Sequence, residues 1–404
     1  MIRASLRRKK KIADESLTSG GGDTPESPRV LVFHPELKRA DPTGTWRDAS
    51  SRLEEAISLT GALDFEVVGA EIGPIAKLRP STLFGKGVTE RLGLQIKADE
   101  ADIVMINGIL TPIQQRNLER EWKCKVIDRT GLILEIFADR ARTREGRLQV
   151  QLALLSYQRS RLVRTWTHLE RQRGGRGFLA GPGERQIEID RRLIRKRISK
   201  LKKELGRIEK ERDIKSYRRQ SEFRVSLVGY TNAGKSTLFK ALTGSDVYIR
   251  NQLFATLDTT VRQWELDESH PILLSDTVGF IRKLPHNLVA SFKGTLKEVL
   301  EADLILVMLD ISSPQIEDHI QTIDEVLKEM GADQIPKIIV LNKVDLISDG
   351  NMIEKRQRLI PDSVTISAQQ HLRLSELRSR ILEKMEENFQ TIDLEFPYDQ
   401  GKTI

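Results

Sequence analysis

The chain has one cysteine, Cys124, among 404 residues. No internal disulfide can form, which suits a reducing compartment such as the cytosol. Cys124 follows Trp122 and Lys123 ahead of an apolar stretch, with no metal-ligand spacing around it, and reads as core or boundary filler. A run of about 18 apolar residues is also missing, so no membrane-spanning helix is expected. The opening MIRASLRRKKK is basic but lacks an apolar core, and Asp14 and Glu15 follow at once, which argues against a secretory or transit peptide. Residues 1–28, with Gly20, Gly21, Gly22, Pro25 and Pro28, read as a disordered basic tail.

Positive charge is in excess, and it is confined. The net charge is +8, yet residues 140–220 hold 25 Lys or Arg against 9 Asp or Glu, which leaves the rest of the chain net acidic by 8. Cations gathered in one segment are the footprint of a polyanionic partner, nucleic acid first. A solvated helical surface is the plain alternative.

Residues 29–139 carry short apolar runs at 30–33, 65–68, 103–106 and 126–127 that predict strands. Thr111-Pro112-Ile113-Gln114 predicts a helix start, with Thr111 as N-cap, proline in the first turn and glutamine closing a capping box. Strands alternating with helices predict a small amino-terminal α/β subdomain with a mostly parallel sheet. Over 140–221, Leu148, Leu152, Leu155, Leu162, Trp166 and Leu169, then Ile194, Ile198, Leu201, Leu205 and Ile208, follow heptad-like spacings. Two such stripes predict an antiparallel helical hairpin. Its connection, 173–184, has five glycines and a proline, which predicts a non-helical, mobile tip presenting Phe178 with Arg173 and Arg176. It is longer than a helix pair needs, which favours a binding role over a mere turn. Residues 222–388 have apolar runs at 225–228, 272–274, 304–309, 338–341 and 364–366. They predict a third, nucleotide-binding βαβ domain with a mixed, mostly parallel sheet.

Gly229-Tyr230-Thr231-Asn232-Ala233-Gly234-Lys235-Ser236 follows the first of these strands and precedes a helix beginning at Thr237. That is a phosphate-binding loop in its required context. Its backbone N–H groups wrap phosphates, Lys235 neutralises the β- and γ-oxygens, and Ser236 offers a hydroxyl to Mg²⁺. Four further elements follow in the order a GTPase needs. In Phe254-Ala255-Thr256-Leu257-Asp258, Thr256 stands where a first switch gives a hydroxyl to Mg²⁺ and an N–H to the γ-phosphate. Asp276-Thr277-Val278-Gly279 supplies a carboxylate for the water shell of Mg²⁺ and a glycine that can approach the γ-phosphate. Asn342-Lys343-Val344-Asp345 is the purine reader. Asp345 accepts from guanine N1 and N2, a donor pair adenine lacks, so GTP is preferred over ATP. Ser367-Ala368 can place a backbone N–H on the guanine oxygen. Each element alone is weak, but five in order predict a P-loop GTPase in which Lys235, Thr256 and Gly279 carry the chemistry.

Phe280 follows Gly279 where many GTPases carry the glutamine that orients the attacking water. Hydrolysis is therefore expected to be slow until a partner or an ion completes the site. Asn232 is a candidate K⁺ ligand, with packing or capping as its alternative role.

Together these residues resemble the HflX family of ribosome-associated GTPases over most of the chain. Phe84-Gly85-Lys86-Gly87 is similar to one family segment and 126–134, with Ile136-Phe137-Ala138 and Arg140-Ala141, to another. The most specific part comprises Glu145 to Val150, Gly174-Gly175-Arg176-Gly177 and Gly181-Pro182-Gly183-Glu184, then Glu188, Asp190, Arg191 and Arg192. The second half adds 254–258 and 276–282 with Leu284-Pro285-His286. Ser160 and Thr259 stand where the family has proline; neither position is a phosphate ligand. Leu394-Glu395-Phe396-Pro397-Tyr398 looks like the first strand of a small carboxy-terminal domain, so 389–404 read as its start in a truncated or shortened form.

The resemblance implies binding to the large ribosomal subunit and its RNA near the catalytic centre. It also implies that the GTP-bound form splits stalled or idle ribosomes, notably under heat stress. A large-subunit assembly or RNA-binding factor using GTP as an occupancy switch is the alternative. A cytoplasmic monomer that associates with ribosomes is expected, ahead of an organellar one.

Overall fold

The computed structural model describes residues 27–37, 46–75, 77–164, 182–217, 222–244, 253–254, 256–257, 259–267, 270–281 and 293–387. They fall into two units: one takes in residues up to 216 with 250–258 and 281–296, the other most of the chain from 217 onward.

The first unit is built on β1 (Arg29–Leu37), β2 (Glu66–Ile75), β3 (Ile103–Ile106) and β4 (Lys125–Asp128) in the order β2-β1-β3-β4, all parallel. The predicted runs are these strands. Val30 to Phe33 and all of β3 are buried, as central parallel strands must be when helices cover both faces. The helices are α1 (Trp46–Gly61), α2 (Lys86–Ala98), α3 (Pro112–Trp122) and α4 (Arg129–Arg140). At the start of α3, Thr111 Oγ1 accepts from the Gln114 amide at 3.2 Å and Gln114 Oε1 accepts from the Thr111 amide at 2.9 Å. The capping box is formed, with Pro112 at the first helical position.

Two longer helices follow, α5 (Arg144–Arg164) and α6 (Pro182–Tyr217). Leu152, Ile198 and Leu205 form a buried cluster with Leu148, Leu155, Ile194 and Leu201 packed on it, so the two apolar stripes do meet. Helix α6 begins at Pro182, which corrects the expectation of a non-helical connection through Glu184. Proline lacks an N–H that the first turn leaves unpaired anyway, so it opens a helix at no cost in hydrogen bonding. Residues 165–181, including Phe178, Arg173 and Arg176, lie outside the described residues.

Asp128 fixes the carboxy-terminal half of α5. Fully buried, it caps α4 through the Gly131 amide at 2.8 Å, accepts from the Leu110 amide at 3.2 Å, and takes the Tyr157 hydroxyl and the Arg161 guanidinium at 2.6 Å each. A buried carboxylate is tolerable only when so fully paired.

The second unit has strands β5 (Phe223–Gly229), β6 (Thr260–Glu265), β7 (Pro271–Asp276), β8 (Leu304–Asp310), β9 (Lys337–Asn342) and β10 (Val364–Thr365), in the order β10-β9-β8-β5-β7-β6. Among the described strands β6 alone runs antiparallel, against β7. Helices α7 (Lys235–Thr243), α9 (Ile316–Met330), α10 (Gly350–Leu359) and α11 (Leu374–Glu386) belong to it, and α8 (Lys293–Leu300) precedes β8. Leu227, Leu238, Phe239, Leu274, Leu306, Val340 and Leu377 are among its buried core. Parallel neighbours β5, β7, β8 and β9 end on one edge, which brings the expected motifs together.

Candidate active site

The loop after β5 is shaped by close contacts. Gly234 caps α7 with φ +93, and a Cβ there would overlap Asn342 Nδ2. Only glycine satisfies both conditions. Asn342 uses that proximity: its Nδ2 donates to the Ala233 carbonyl at 2.9 Å, while its Oδ1 accepts from the Ala368 amide at 2.9 Å. One side chain from β9 thus ties the loop 229–236 to Ser367-Ala368. Ser367 is fully buried and paired with Leu372 by two backbone hydrogen bonds, which closes the turn carrying Ala368.

Lys235 is buried, its Nζ donating to the carbonyls of Gly229 at 3.1 Å and Tyr230 at 3.0 Å. Burial pushes its ammonium pKa down to about 8, with Asp276 opposing the shift. The Ser236 hydroxyl donates to Asp276 Oδ2 at 2.7 Å. A hydroxyl and a carboxylate side by side are hard oxygen donors of the kind Mg²⁺ takes alongside waters and phosphate oxygens. Thr237 continues the first turn of α7, and Thr277 is anchored by its hydroxyl to the Leu227 carbonyl at 2.5 Å.

Gly279 rests directly on the loop. A Cβ there would lie 2.9 Å from Thr231 Cα and Cγ2 and 3.0 Å from Lys235 Nζ. The Thr231 amide donates to the Phe280 carbonyl at 2.8 Å and the Phe280 amide to the Gly229 carbonyl at 2.9 Å. Val278 and Phe280 are buried. Asn232 is exposed with φ +64. Lys343 also takes a left-handed φ of +68, and Val344 and Asp345 form a single 3₁₀ turn that leaves Asp345 exposed.

The expected first-switch residues belong to the other compact unit. Phe254, Thr256 and Leu257 group with the first unit, where the Phe254 ring meets Phe137 of α4 edge-on at 4.7 Å. Phe254 and Leu257 are buried and Thr256 half-buried; Ala255 and Asp258 lie outside the described residues. Two contacts were not foreseen from the sequence. The Lys343 ammonium pairs with Asp310 at 2.8 Å, and the Tyr230 ring stacks on His319 of α9 at 4.0 Å. An acid closing the apolar run 304–309, directly beside Asn342 in the sheet register, was the available signal for Asp310.

A glycine-rich loop between strand and helix, an acid and a glycine after the neighbouring strand, and an Asn-Lys-x-Asp turn at the same sheet edge define a P-loop GTPase. Family models match in sequence along the chain, described as GTP-binding GTPase N-terminal over 50–138, GTP-binding GTPase Middle Region over 140–219 and 50S ribosome-binding GTPase over 224–343. The GTPase HflX of Magnetococcus marinus is 52% identical over 336 residues, 82% of this chain and 77% of that one. The GTPase HflX of Escherichia coli (strain K12) is 44% identical over 356 residues, 87% and 83% of the two chains. A solved chain described as the SsGBP and GDP complex is 25% identical with a TM-score of 0.48, covering 90% of this chain and 100% of that one. The chain belongs to the HflX family of GTPases, and GTP hydrolysis is its activity. Among the described residues no helix is long and apolar enough to cross a membrane.

Proposed function

We propose that this GTPase binds the large ribosomal subunit through the basic helices of 140–220 and, in its GTP-bound form, splits stalled or idle ribosomes under stress such as heat. The observation that carries the polyanion reading is the outer face of α6. Arg192, Arg195, Lys196, Arg197, Lys200, Lys202, Lys203 and Arg207 are all exposed there while the apolar stripe of the same helix is covered by α5. Such a face suits phosphate contacts. The family match to a model described as a ribosome-binding GTPase supports the ribosome as the source of that phosphate.

At the nucleotide we assign Lys235 to the β- and γ-oxygens, Gly279 to the γ-phosphate and the backbone from Gly229 to Thr237 to the phosphate cradle. Asn342, Lys343, Val344 and Asp345 hold the guanine with Ser367 and Ala368. Ser236 and Thr256 would hold Mg²⁺ directly and Asp276 through water. When bound, that ion neutralises charge on the β- and γ-oxygens. Asn232 is the candidate K⁺ ligand; equal hydrolysis rates in K⁺ and Na⁺ salts would leave it a packing residue.

Intact ribosomes mixed with the protein and GTP, then sedimented, test the main reading. Free subunits support it. Binding confined to immature large-subunit particles, with no splitting, would replace it with an assembly factor that uses GTP only as an occupancy switch.

A further inference from the structure

Phe280 has no polar atom in its side chain, so the position that orients water in other GTPases offers nothing here. Close by, Thr231 is 6% exposed, and its hydroxyl finds no hydrogen-bond partner among the described residues. A buried, unpaired hydroxyl carries a desolvation cost with nothing returned. Valine would fill the same space without that cost, so a packing role does not explain threonine.

Its surroundings do. The side chain of Thr231, the Lys235 ammonium and Gly279 converge on one point: a Cβ on Gly279 would be 2.9 Å from Thr231 Cγ2 and 3.0 Å from Lys235 Nζ. The Thr231 and Phe280 backbones are joined by the bond from the Thr231 amide to the Phe280 carbonyl. That keeps Thr231 beside the residue lacking a water ligand. In this structure the methyl arm faces Gly279; rotation about χ1 exchanges the methyl and hydroxyl arms of threonine between staggered wells, which brings the hydroxyl to that point.

We propose that the Thr231 hydroxyl is a catalytic group for GTP hydrolysis, accepting a hydrogen bond from the attacking water and donating one to a γ-phosphate oxygen. This rests on the assignment of Lys235 and Gly279 to the phosphates. The reaction's balance is unaltered: the water oxygen bonds to the γ-phosphorus, the bond from that phosphorus to the bridging oxygen breaks, and its electron pair leaves on GDP. The water proton ends on the released phosphate. Thr231 holds the water in line and gains or loses no proton overall.

The test uses the full chain with Thr231→Val and Thr231→Ser, measuring GDP affinity and single-turnover GTP hydrolysis separately. Thr231→Val should bind GDP within about twofold of wild type and hydrolyse roughly 10- to 100-fold more slowly, the order expected for one group aimed at the reacting centre. Thr231→Ser, which restores the hydroxyl, should recover most of the rate. Hydrolysis by the valine variant at the wild-type rate overturns the proposal. If that variant loses GDP binding or fails to fold, Thr231→Ala against Thr231→Ser decides, and equal rates for those two overturn it as well. Retention of GDP binding by Lys235→Ala would instead show that the phosphate assignment itself is wrong.

Discussion

The Lys343 ammonium lies 2.8 Å from Asp310 Oδ2, while Asp310 Oδ1 accepts from the Ser312 amide at 3.0 Å and the Ser312 hydroxyl at 2.6 Å. With its backbone at φ +68, Lys343 is fixed at both ends, and its stem becomes a wall of defined position. Asp310→Asn keeps the shape and removes the charge that holds the lysine. The variant should release GDP about three- to tenfold faster, the effect of losing about 1 kcal/mol. Stopped-flow displacement of a fluorescent nucleotide measures it. An unchanged off-rate would reduce the pair to an ordinary half-exposed ion pair of little consequence.

Base selection is assigned to Asp345, exposed on its 3₁₀ turn at the same sheet edge. Asp345→Asn turns an acceptor into a donor, so GTP should be lost and xanthosine triphosphate gained. The loss of one charge-assisted pair is worth about 2–3 kcal/mol, or one to two decades in affinity. Competition between the two nucleotides reads it directly; wild-type GTP affinity in the variant would remove Asp345 from the site.

Lys235 predicts a pH dependence with a definite sign. Burial lowers its pKa from 10.5 to about 8, so between those values the unfolded chain holds the proton more firmly than the folded one. Stability of the nucleotide-free protein therefore gains from this group as pH rises through that window. Phosphates favour the ammonium, so above about pH 8 GDP binding should take up a fraction of a proton, with affinity falling as pH climbs. Calorimetry in two buffers of different ionisation enthalpy measures the uptake. Zero uptake would mean that the ammonium is already fully charged before nucleotide arrives.

The phosphate loop could be read from the sequence because backbone-to-phosphate chemistry demands fixed residues at fixed spacing, and Thr111 with Gln114 could be read because a cap is a local device. Tertiary devices were invisible. His319 and Asp310 act across the fold, on Tyr230 and Lys343; no short-range pattern marks His319, and the acid that closes the run 304–309 does not by itself name its lysine partner. Strand β6 was missed because it is an edge strand: Trp264 is buried while Arg262 and Gln263 are exposed, leaving no apolar run to find. Helix α4 was missed because it starts without a loop, Asp128 serving both as the last residue of β4 and as the N-cap. The apolar runs of the first sheet were legible for the opposite reason, since strands buried on both faces have little room for polar residues.

The exposed face of α6 gives the last prediction. Arg195, Lys196 and Arg197 are exposed, while Ile194 and Ile198 beside them hold the contact with α5. Replacing the three cations with glutamine keeps length and helix propensity and leaves the apolar stripe alone, so the helix pair should remain folded. If these side chains meet phosphates, each contact releases counterions on binding, and the slope of log affinity against log salt should fall by about 2 when three are removed. Affinity for the large subunit should drop most at low salt and converge with wild type as salt rises. GDP affinity, which we assign to residues of the second unit, should stay the same, which separates a lost surface from a damaged protein. Cosedimentation with large subunits across a salt series measures the slope. An unchanged slope at unchanged affinity would show that these three cations are a solvated surface, and the partner's phosphates would have to be sought on another part of 140–220.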